Sequence, residues 1–257
     1  MHSFAKRLAV ILPAAGLGTR MSKTTAGAET SGTSRKQFML LDGEPILVHT
    51  VRKFASSPYV TDIVVAVRDT DVASTTEMLS DAAVLPEVAK LKGKLTVVAG
   101  GDTRQESVER AFASLDPTTD LVAVHDAVRP FVELETIGRV AEEADATGAA
   151  IVGIVPVDTV KQVSGAQAGG AKVRATISRE RLVLAQTPQV FRREILARAF
   201  EAAKRDNFVG TDESSLVERL EDVEIGVVPG SERNIKITRP GDMDLARLFF
   251  EREKSSR

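Results

Sequence analysis

The sequence lacks cysteine altogether and contains only three histidines in 257 residues. Without cysteine there can be no disulfide, no thiolate nucleophile and no cysteine-ligated zinc or iron–sulfur centre. Three scattered histidines leave little for a histidine-based metal site. Any catalysis must therefore depend on other side chains.

Long apolar runs and a strong net charge are also missing. No run approaches the roughly 18 apolar residues of a membrane span, and no signal-type segment precedes the first predicted strand. We therefore expect a soluble, cytoplasmic protein that does not enter a membrane. The formal net charge of -2 gives no global field for nucleic acid, so we expect a small anionic ligand held by local Arg and Lys.

The first motif is an apolar segment, Leu8 to Leu12, that runs into P-A-A-G-L-G-T-R. Apolar residues bounded by proline and glycine predict a buried strand of a parallel sheet. The small residues 14–18 would let backbone N–H groups approach an anion, and Arg20 and Lys36 flank them. The pattern is neither a dinucleotide fingerprint, because Met21 replaces its third glycine, nor a P-loop. On these residues alone, a phosphate-binding loop and a plain tight turn both remain open.

Residues 21–35 are rich in Ser, Thr, Gly and Ala and show no hydrophobic periodicity, which predicts a surface loop. Loops of this length are usually functional or disordered. Because this one lies between two candidate ligand-binding cations, we expect it to close over bound nucleotide.

Further apolar segments alternate with amphipathic ones, an order typical of β-α-β units. The predicted strands are 62–67, 95–99, 121–124, 149–155 and 224–228, and the predicted helices include 44–56, 133–147, 193–204 and one near the C-terminus. Residues 69–92 are expected to hold one or two helices without functional side chains. The fold class is therefore α/β, with a mostly parallel central sheet in a single domain, 1–257.

Two polar motifs each follow a predicted strand: G-G-D-T-R-Q-E-S at 100–107 and H-D-A-V-R-P at 125–130. The carboxyl ends of parallel strands meet at the sheet edge where α/β proteins bind ligands. Asp126 would suit Mg²⁺ or substrate hydroxyls there, or it could simply pair with Arg129. In the first motif, the alternative to a binding role is that Asp102 or Thr103 simply caps the following helix.

Residues 157–163 and 172–177 alternate with period two around a glycine-rich segment, which predicts a β-hairpin. An isolated two-stranded ribbon is only marginally stable in water, so this arm, 157–178, should pack on another surface. A partner subunit is the economical candidate and would give a homodimer. The alternative is an appendage folded onto its own domain.

Several motifs, ordered along the chain, resemble those of the sugar-phosphate nucleotidyltransferase family. They are P-A-A-G-x-G-x-R-M, K-Q-F, G-G-x-x-R-x-x-S, H-D-A-x-R-P, T-P-Q-x-F, T-D-E and N-I-K-x-T-x-P-x-D. Within that family the chain is most similar to the cytidylyltransferases that act on 2-C-methyl-D-erythritol 4-phosphate in isoprenoid precursor synthesis. The resemblance implies a Rossmann-like nucleotidyltransferase domain that transfers CMP from CTP to a polyol phosphate, with Mg²⁺ or another divalent cation as cofactor and pyrophosphate as the second product.

The resemblance also implies roles for individual residues. The implied catalytic residues, which would bind the triphosphate and stabilise the α-phosphate, are Arg20, Lys36 and Lys236. The implied CTP-binding residues are Ala14, Ala15, Gly16, Gly18, Gly101, Asp102 and Ser107. The implied polyol-phosphate-binding residues are Asp126, Arg129, Thr159, Arg179, Thr187 and Thr211, and Asp126 is also the candidate metal ligand. In the resembled family the arm crosses to a partner and supplies part of its active site.

Two alternatives remain beside this hypothesis. A cytidylyltransferase acting on ribitol 5-phosphate would share the fold and many motifs. The other alternative is a regulatory protein that binds nucleotide without turnover. It is disfavoured because a protein that only binds nucleotide does not need cations on both sides of the reacting phosphorus. The cations in question are Arg20, Lys36, Arg179 and Lys236.

Overall fold

The computed structural model describes residues 4–16, 35–165 and 170–255. The strands are β1 (Leu8–Pro13), β2 (Leu40–Leu41), β3 (Glu44–Pro45), β4 (Val60–Val67), β5 (Leu95–Ala99), β6 (Leu121–Val124), β7 (Ala149–Ile154), β8 (Val160–Ser164), β9 (Lys172–Ile177), β10 (Leu184–Arg192) and β11 (Gly226–Pro229). The α-helices are α1 (Ile46–Ala55), α2 (Val72–Ser80), α3 (Arg104–Ala113), α4 (Leu134–Thr147), α5 (Arg193–Arg205), α6 (Glu213–Val217) and α7 (Pro240–Ser255). Gly18, Arg20 and all but the last residue of the predicted 21–35 loop lie outside the described residues.

A seven-stranded sheet forms the centre of the fold, in the order β11-β7-β10-β6-β1-β4-β5. Neighbouring strands are parallel except for β10, which is antiparallel to β6 and β7. The predicted α/β class with a mostly parallel sheet is therefore confirmed.

The core lies on both faces of this sheet because successive side chains of a strand point to opposite sides. On β1, Leu8, Val10 and Leu12 belong to one hydrophobic cluster, whereas Ala9 and Ile11 belong to the other. All five are fully buried. The uninterrupted apolar run thus reflects a strand covered on both faces.

The central antiparallel strand β10 is absent from the predictions, which treated residues 185–191 only as a motif. Its sequence is unusual for a central strand because it holds Pro188 among polar residues. The ladder with β7 shifts register between Gln186 and Gln189, on either side of that proline. Gln186, Thr187 and Gln189 are buried and hydrogen-bonded, so the strand fits the core through polar contacts rather than through apolar periodicity.

The predicted hairpin is present as β8 and β9, which pair antiparallel in a separate two-stranded sheet. The first strand begins at Val160 instead of residue 157, and residues 166–169 at the tip lie outside the described part of the chain. Val157 and Val173 on this arm are strongly exposed, at 72% and 65%. Within the described ranges, no helix has both the length and the apolar character needed to cross a membrane.

Candidate active site

Four parallel strands of the sheet end at one edge, and the segments that follow them surround a cavity of about 620 Å³. These segments are Ala14–Gly16 after β1, Arg68–Thr70 after β4, Gly100–Arg104 after β5 and Asp126–Val128 after β6. Lys36, Gln37, Ser107, Arg110 and Lys236 complete the wall in the described part of the chain. The position is the ligand-binding edge expected of an open α/β sheet.

The glycine loop after β5 is packed so closely that larger side chains would not fit. A Cβ on Gly100 would lie 2.8 Å from Ser107 Oγ and 2.9 Å from Ala15 Cβ, and one on Gly101 would lie 2.3 Å from Glu106 Cβ. Ser107 Oγ accepts the Gly101 N–H at 3.0 Å. The loop therefore brings bare backbone to the cavity wall, with Ser107 fixing its shape.

Thr103, not Asp102, caps the helix that follows this loop. Its side chain accepts the Glu106 N–H at 3.1 Å, and the two residues form a capping box. Glu106 in turn accepts the Asp102 N–H at 2.8 Å. Asp102 therefore lines the cavity without being used as the helix cap.

Lys36 reaches the cavity from a short 3₁₀ turn that is tied down on both sides. The Gln37 side-chain amide donates to the Ala14 carbonyl, and Arg35 pairs with Asp71. Lys36 itself is largely buried, at 9% exposure. Its ammonium is thereby held near the segment that follows β1.

Asp126 is a buried carboxylate that is surrounded by basic side chains of the site. Its Oδ2 lies 3.0 Å from Lys236 Nζ and 3.1 Å from Arg129 Nε, and its Oδ1 lies 3.8 Å from Arg104 Nε. Burial opposes ionisation of this carboxyl, but the attraction of Lys236, Arg104 and Arg129 outweighs burial and lowers the pKa of Asp126 well below its usual range. Asp126 is therefore ionised at physiological pH.

His125 lies under the site and is fully buried. Its Nε2 is 3.0 Å from the Arg129 carbonyl oxygen, so that nitrogen carries the proton, and its Nδ1 accepts from Thr187 Oγ1 at 3.1 Å. Burial lowers the pKa of His125 to about 4. The ring is therefore neutral near pH 7 and both of its nitrogens are engaged.

The structure divides the predicted site residues into two groups. Those that line the cavity are Ala14, Ala15, Gly16, Lys36, Gly101, Asp102, Ser107, Asp126 and Lys236. Arg129 stands directly beside them, joined to Asp126 and, through Nη1 at 2.7 Å, to the Asn234 carbonyl oxygen.

The other group does not line the described cavity of its own chain. Thr159, Arg179 and Thr211 are exposed, and Arg179 donates to the Val157 carbonyl oxygen within the arm. Thr187 is buried beneath Asp126, whose backbone N–H donates to its hydroxyl at 3.1 Å. In this structure Thr187 supports Asp126 and His125 from below.

Several residues that line the cavity were not predicted from the sequence as site residues. They are Arg68, Asp69, Thr70, Arg104 and Arg110. Asp69 and Thr70 belong to the 69–92 segment, in which no functional side chains were expected, yet they line the cavity. Both directly follow β4, so the rule that identified the other strand ends would have found them. Arg104 stood inside a quoted motif but was given no role.

The described residues contain no group of three or more His, Asp or Glu side chains arranged to hold a metal ion. The predicted metal ligand, Asp126, lines the cavity and is engaged with the cations beside it.

Comparisons with known proteins agree on one kind of protein. The model of the family described as 2-C-methyl-D-erythritol 4-phosphate cytidylyltransferase matches residues 8–252. A relative of that name from Solibacter usitatus is 60% identical over 251 residues, which cover 98% of each chain. Another of that name, from Acidobacterium capsulatum, is 50% identical and covers 98% of this chain and 100% of its own.

Solved structures show the same likeness. The 2-C-methyl-D-erythritol 4-phosphate cytidylyltransferase of Francisella tularensis is 31% identical, with a TM-score of 0.73 over 95% of this chain and 99% of its own. The 4-diphosphocytidyl-2C-methyl-D-erythritol synthase of Anaerococcus prevotii is 26% identical, with a TM-score of 0.77 over 96% and 99%.

Proposed function

Because the chain belongs to the 2-C-methyl-D-erythritol 4-phosphate cytidylyltransferase family, we propose that it transfers CMP from CTP to that polyol phosphate. The products are 4-diphosphocytidyl-2-C-methyl-D-erythritol and pyrophosphate. The observation that carries the proposal is the 60% identity to a relative of that name along nearly the whole of both chains.

The reaction needs no activated side-chain nucleophile. An anionic oxygen of the polyol phosphate attacks the α-phosphorus of CTP, a new P–O bond forms, and the bond from that phosphorus to the α,β-bridging oxygen breaks. Pyrophosphate leaves with the electron pair. This fits a site whose one nearby histidine, His125, is buried, neutral and engaged at both nitrogens.

The difficulty of the reaction is charge, since two anions must meet and the equatorial oxygens gain negative charge in the transition state. Basic side chains that line the cavity would offset this negative charge. They are Lys36, Arg68, Arg104, Arg110 and Lys236. Lys236 would stabilise the α-phosphate and Lys36 would hold the triphosphate. Arg20, which we propose shares that role, lies outside the described residues.

Mg²⁺ is part of the proposal as a cofactor. Mg²⁺ commonly binds through one or two carboxylates together with substrate phosphates, and an ionised Asp126 at the cavity wall fits the carboxylate part of that set. When bound, the ion would neutralise charge on the triphosphate. Asp126 would also accept hydrogen bonds from hydroxyls of the polyol.

The base pocket is proposed to be the part of the cavity that is walled by Ala15 and the Gly100–Ser107 loop. Gly100 packs against Ala15 and Ser107 with no room for a side chain, so these walls are rigid and made of backbone and small groups. Such a pocket suits a pyrimidine better than a purine. Backbone groups of Ala14 and Gly101 would then read the base edge.

We further propose that the chain acts as a homodimer through the 157–178 arm. The arm forms its own two-stranded sheet with exposed valines, an arrangement that is marginally stable unless it packs on another surface. Arg179, at the end of the arm, does not line the cavity of its own chain within the described residues. A crossing arm would bring the Arg179 of one subunit to the Lys36 of the other.

Subunit mixing tests the shared site. Co-expressed Arg179→Ala and Lys36→Ala chains would place both lesions in one site of each heterodimer and leave the other site intact. We expect about half the wild-type activity per purified heterodimer, for two independent sites related by a two-fold axis. Heterodimers with no recovered activity, despite confirmed exchange of subunits, would contradict a crossing arm.

The activity itself is tested by pyrophosphate release from CTP and Mg²⁺, with each polyol phosphate supplied separately. We expect release with 2-C-methyl-D-erythritol 4-phosphate and much less with ribitol 5-phosphate. The opposite preference would support the ribitol alternative. CTP binding without release in either case would identify a nucleotide-binding regulatory protein. We place the reaction in the cytoplasm, because CTP is supplied there.

A further inference from the structure

Glu213 carries a fully buried carboxylate at the beginning of α6, beside the active-site edge of the sheet. A buried carboxylate is costly unless it is paired, and burial raises the pKa of Glu213 while Arg104 opposes that rise. Glu213 is the last residue of the T-D-E motif, and no role was predicted for it.

Arg104 pairs with Glu213 at two points. Its Nη1 and Nη2 donate to Glu213 Oε1 and Oε2 at 2.6 and 2.9 Å. A two-point fork of this kind fixes both the position and the rotation of a guanidinium.

The pair is not needed to cap either of the helices that it joins. Asp212 caps α6 by accepting the Ser215 N–H at 3.0 Å. Thr103 caps α3 in its box with Glu106. The fork is therefore not a helix-capping interaction.

The remaining edge of Arg104 faces the cavity. Its Nε lies 3.8 Å from Asp126 Oδ1, within ion-pair range but beyond a hydrogen bond. A guanidinium released from Glu213 could rotate and close onto that carboxylate. Asp126 would then be less available to substrate.

The Glu213 segment is itself held firmly by the central sheet. Gln189 on β10 donates to Asp212 Oδ2 at 2.7 Å and accepts the Ser214 N–H at 3.0 Å. The sheet thus fixes α6, and α6 fixes Arg104. Thr211, which is proposed to bind the polyol phosphate, belongs to the same segment.

We propose that Glu213 is a positioning residue for the polyol phosphate: it holds Arg104 at the cavity wall and keeps it from closing onto Asp126. This inference rests on the proposed function. Asp126 and Thr211, which the fork and its segment hold in place, are both assigned to the polyol phosphate, so the effect should fall on polyol-phosphate binding and not on CTP binding.

Glu213→Gln tests the proposal, because glutamine keeps the shape but cannot accept both forks of Arg104. We expect the KM for 2-C-methyl-D-erythritol 4-phosphate to rise about tenfold, with the KM for CTP unchanged. Glu44→Gln is the matched control. It breaks a similar fork, to Arg52 at 2.7 and 2.8 Å, that does not line the cavity, and both KM values should stay normal.

A double variant shows whether Glu213 acts through Arg104. Adding Glu213→Gln to Arg104→Gln should cause no further rise in the polyol-phosphate KM. If Glu213→Gln folds poorly, Arg104→Lys provides the same test, since lysine keeps the charge without the fork and should show the same selective rise.

The inference would be overturned if Glu213→Gln changed both KM values equally or raised the KM for CTP alone. It would also be overturned if the effects of Glu213→Gln and Arg104→Gln on the polyol-phosphate KM were additive in the double variant. Normal kinetics of Glu213→Gln in an enzyme whose wild type turns over would overturn it as well. A wild type that releases no pyrophosphate with either polyol phosphate would instead overturn the proposed function.

Discussion

Lys236→Ala should separate catalysis from stability, because Lys236 is in contact with the charge centre of the site but is itself only partly buried. Its side chain is 40% exposed and its Nζ lies 3.0 Å from Asp126 Oδ2. Asp126 is buried, but solvent screens an ion pair whose cation is this exposed, so its contribution to stability is about 1 kcal/mol. In a chain of this size, a loss of about 1 kcal/mol lowers Tm by only about 2–4 °C.

Asp126 should remain ionised in this variant. Removing Lys236 raises the pKa of Asp126, but Arg129 at 3.1 Å and Arg104 at 3.8 Å still attract the carboxylate, so no unpaired buried charge is created. The fold is therefore expected to survive. Turnover, by contrast, should fall by about 10² to 10³, the loss that follows removal of one pre-organised contact to a developing charge.

The assay is steady-state pyrophosphate release at saturating CTP and polyol phosphate, with Tm measured on the same samples. Lys53→Ala is the control, because it breaks an ion pair to Glu253 at 3.2 Å that does not line the cavity. Its kcat should be unchanged. A folded Lys236→Ala enzyme with near-normal kcat would show that this lysine does not act on the reacting phosphate.

Three further predictions follow from the same geometry. Lys36→Ala should lower kcat by about 10² without unfolding the protein, as measured by pyrophosphate release and circular dichroism. ATP and GTP should have kcat/KM values at least about 100-fold below that of CTP, if the proposed pocket at Ala15 and Gly101 fits a pyrimidine and not the larger purine. For His125, the pKa is about 4 in the folded protein and near 6.5 when unfolded, so the unfolded chain binds more protons between these values. Stability should therefore decline as pH falls from 6.5 towards 4, by about 2 kcal/mol at pH 5, and urea unfolding of His125→Gln should lack this part of the decline.

Each of these has an outcome that would contradict it. Normal turnover of folded Lys36→Ala would remove that residue from the mechanism, and comparable kcat/KM for a purine nucleotide would refute the proposed pocket. For His125, the comparison is between pH 7 and pH 5. Equal loss of stability in the wild type and the variant would show that this ring does not cause the dependence.

The charge arrangement explains why the same residues serve both structure and reaction. Asp126 lies within ion-pair distance of Lys236, Arg129 and Arg104. These side chains come from separate parts of the chain: Lys236 from the segment before α7, Arg129 from the segment after β6 and Arg104 from α3. In the proposed reaction, a bound polyol phosphate would bring further negative charge to these cations. The site is therefore organised by electrostatic attraction before any substrate arrives.

The local pattern of the sequence was enough to place most of the sheet and the ligand-binding edge. Buried strands such as β1 and β4 are apolar throughout because helices cover both of their faces, and that signal is contained in a few consecutive residues. The loops after them are recognisable by glycine and charge for the same local reason. Ala14, Gly101 and Asp126 were therefore predicted at one edge and are found there.

Only the tertiary structure decided which distant residues meet at that edge. Strand β10 was missed because its buried residues are polar and satisfied by partners elsewhere, which no local periodicity encodes. The pair of Arg104 and Glu213 joins residues 109 positions apart. Lys236 likewise reaches Asp126 from a separate segment near the C-terminus. Such contacts depend on how the elements pack, because burial and charge pairing are properties of the assembled fold and not of any one stretch of chain.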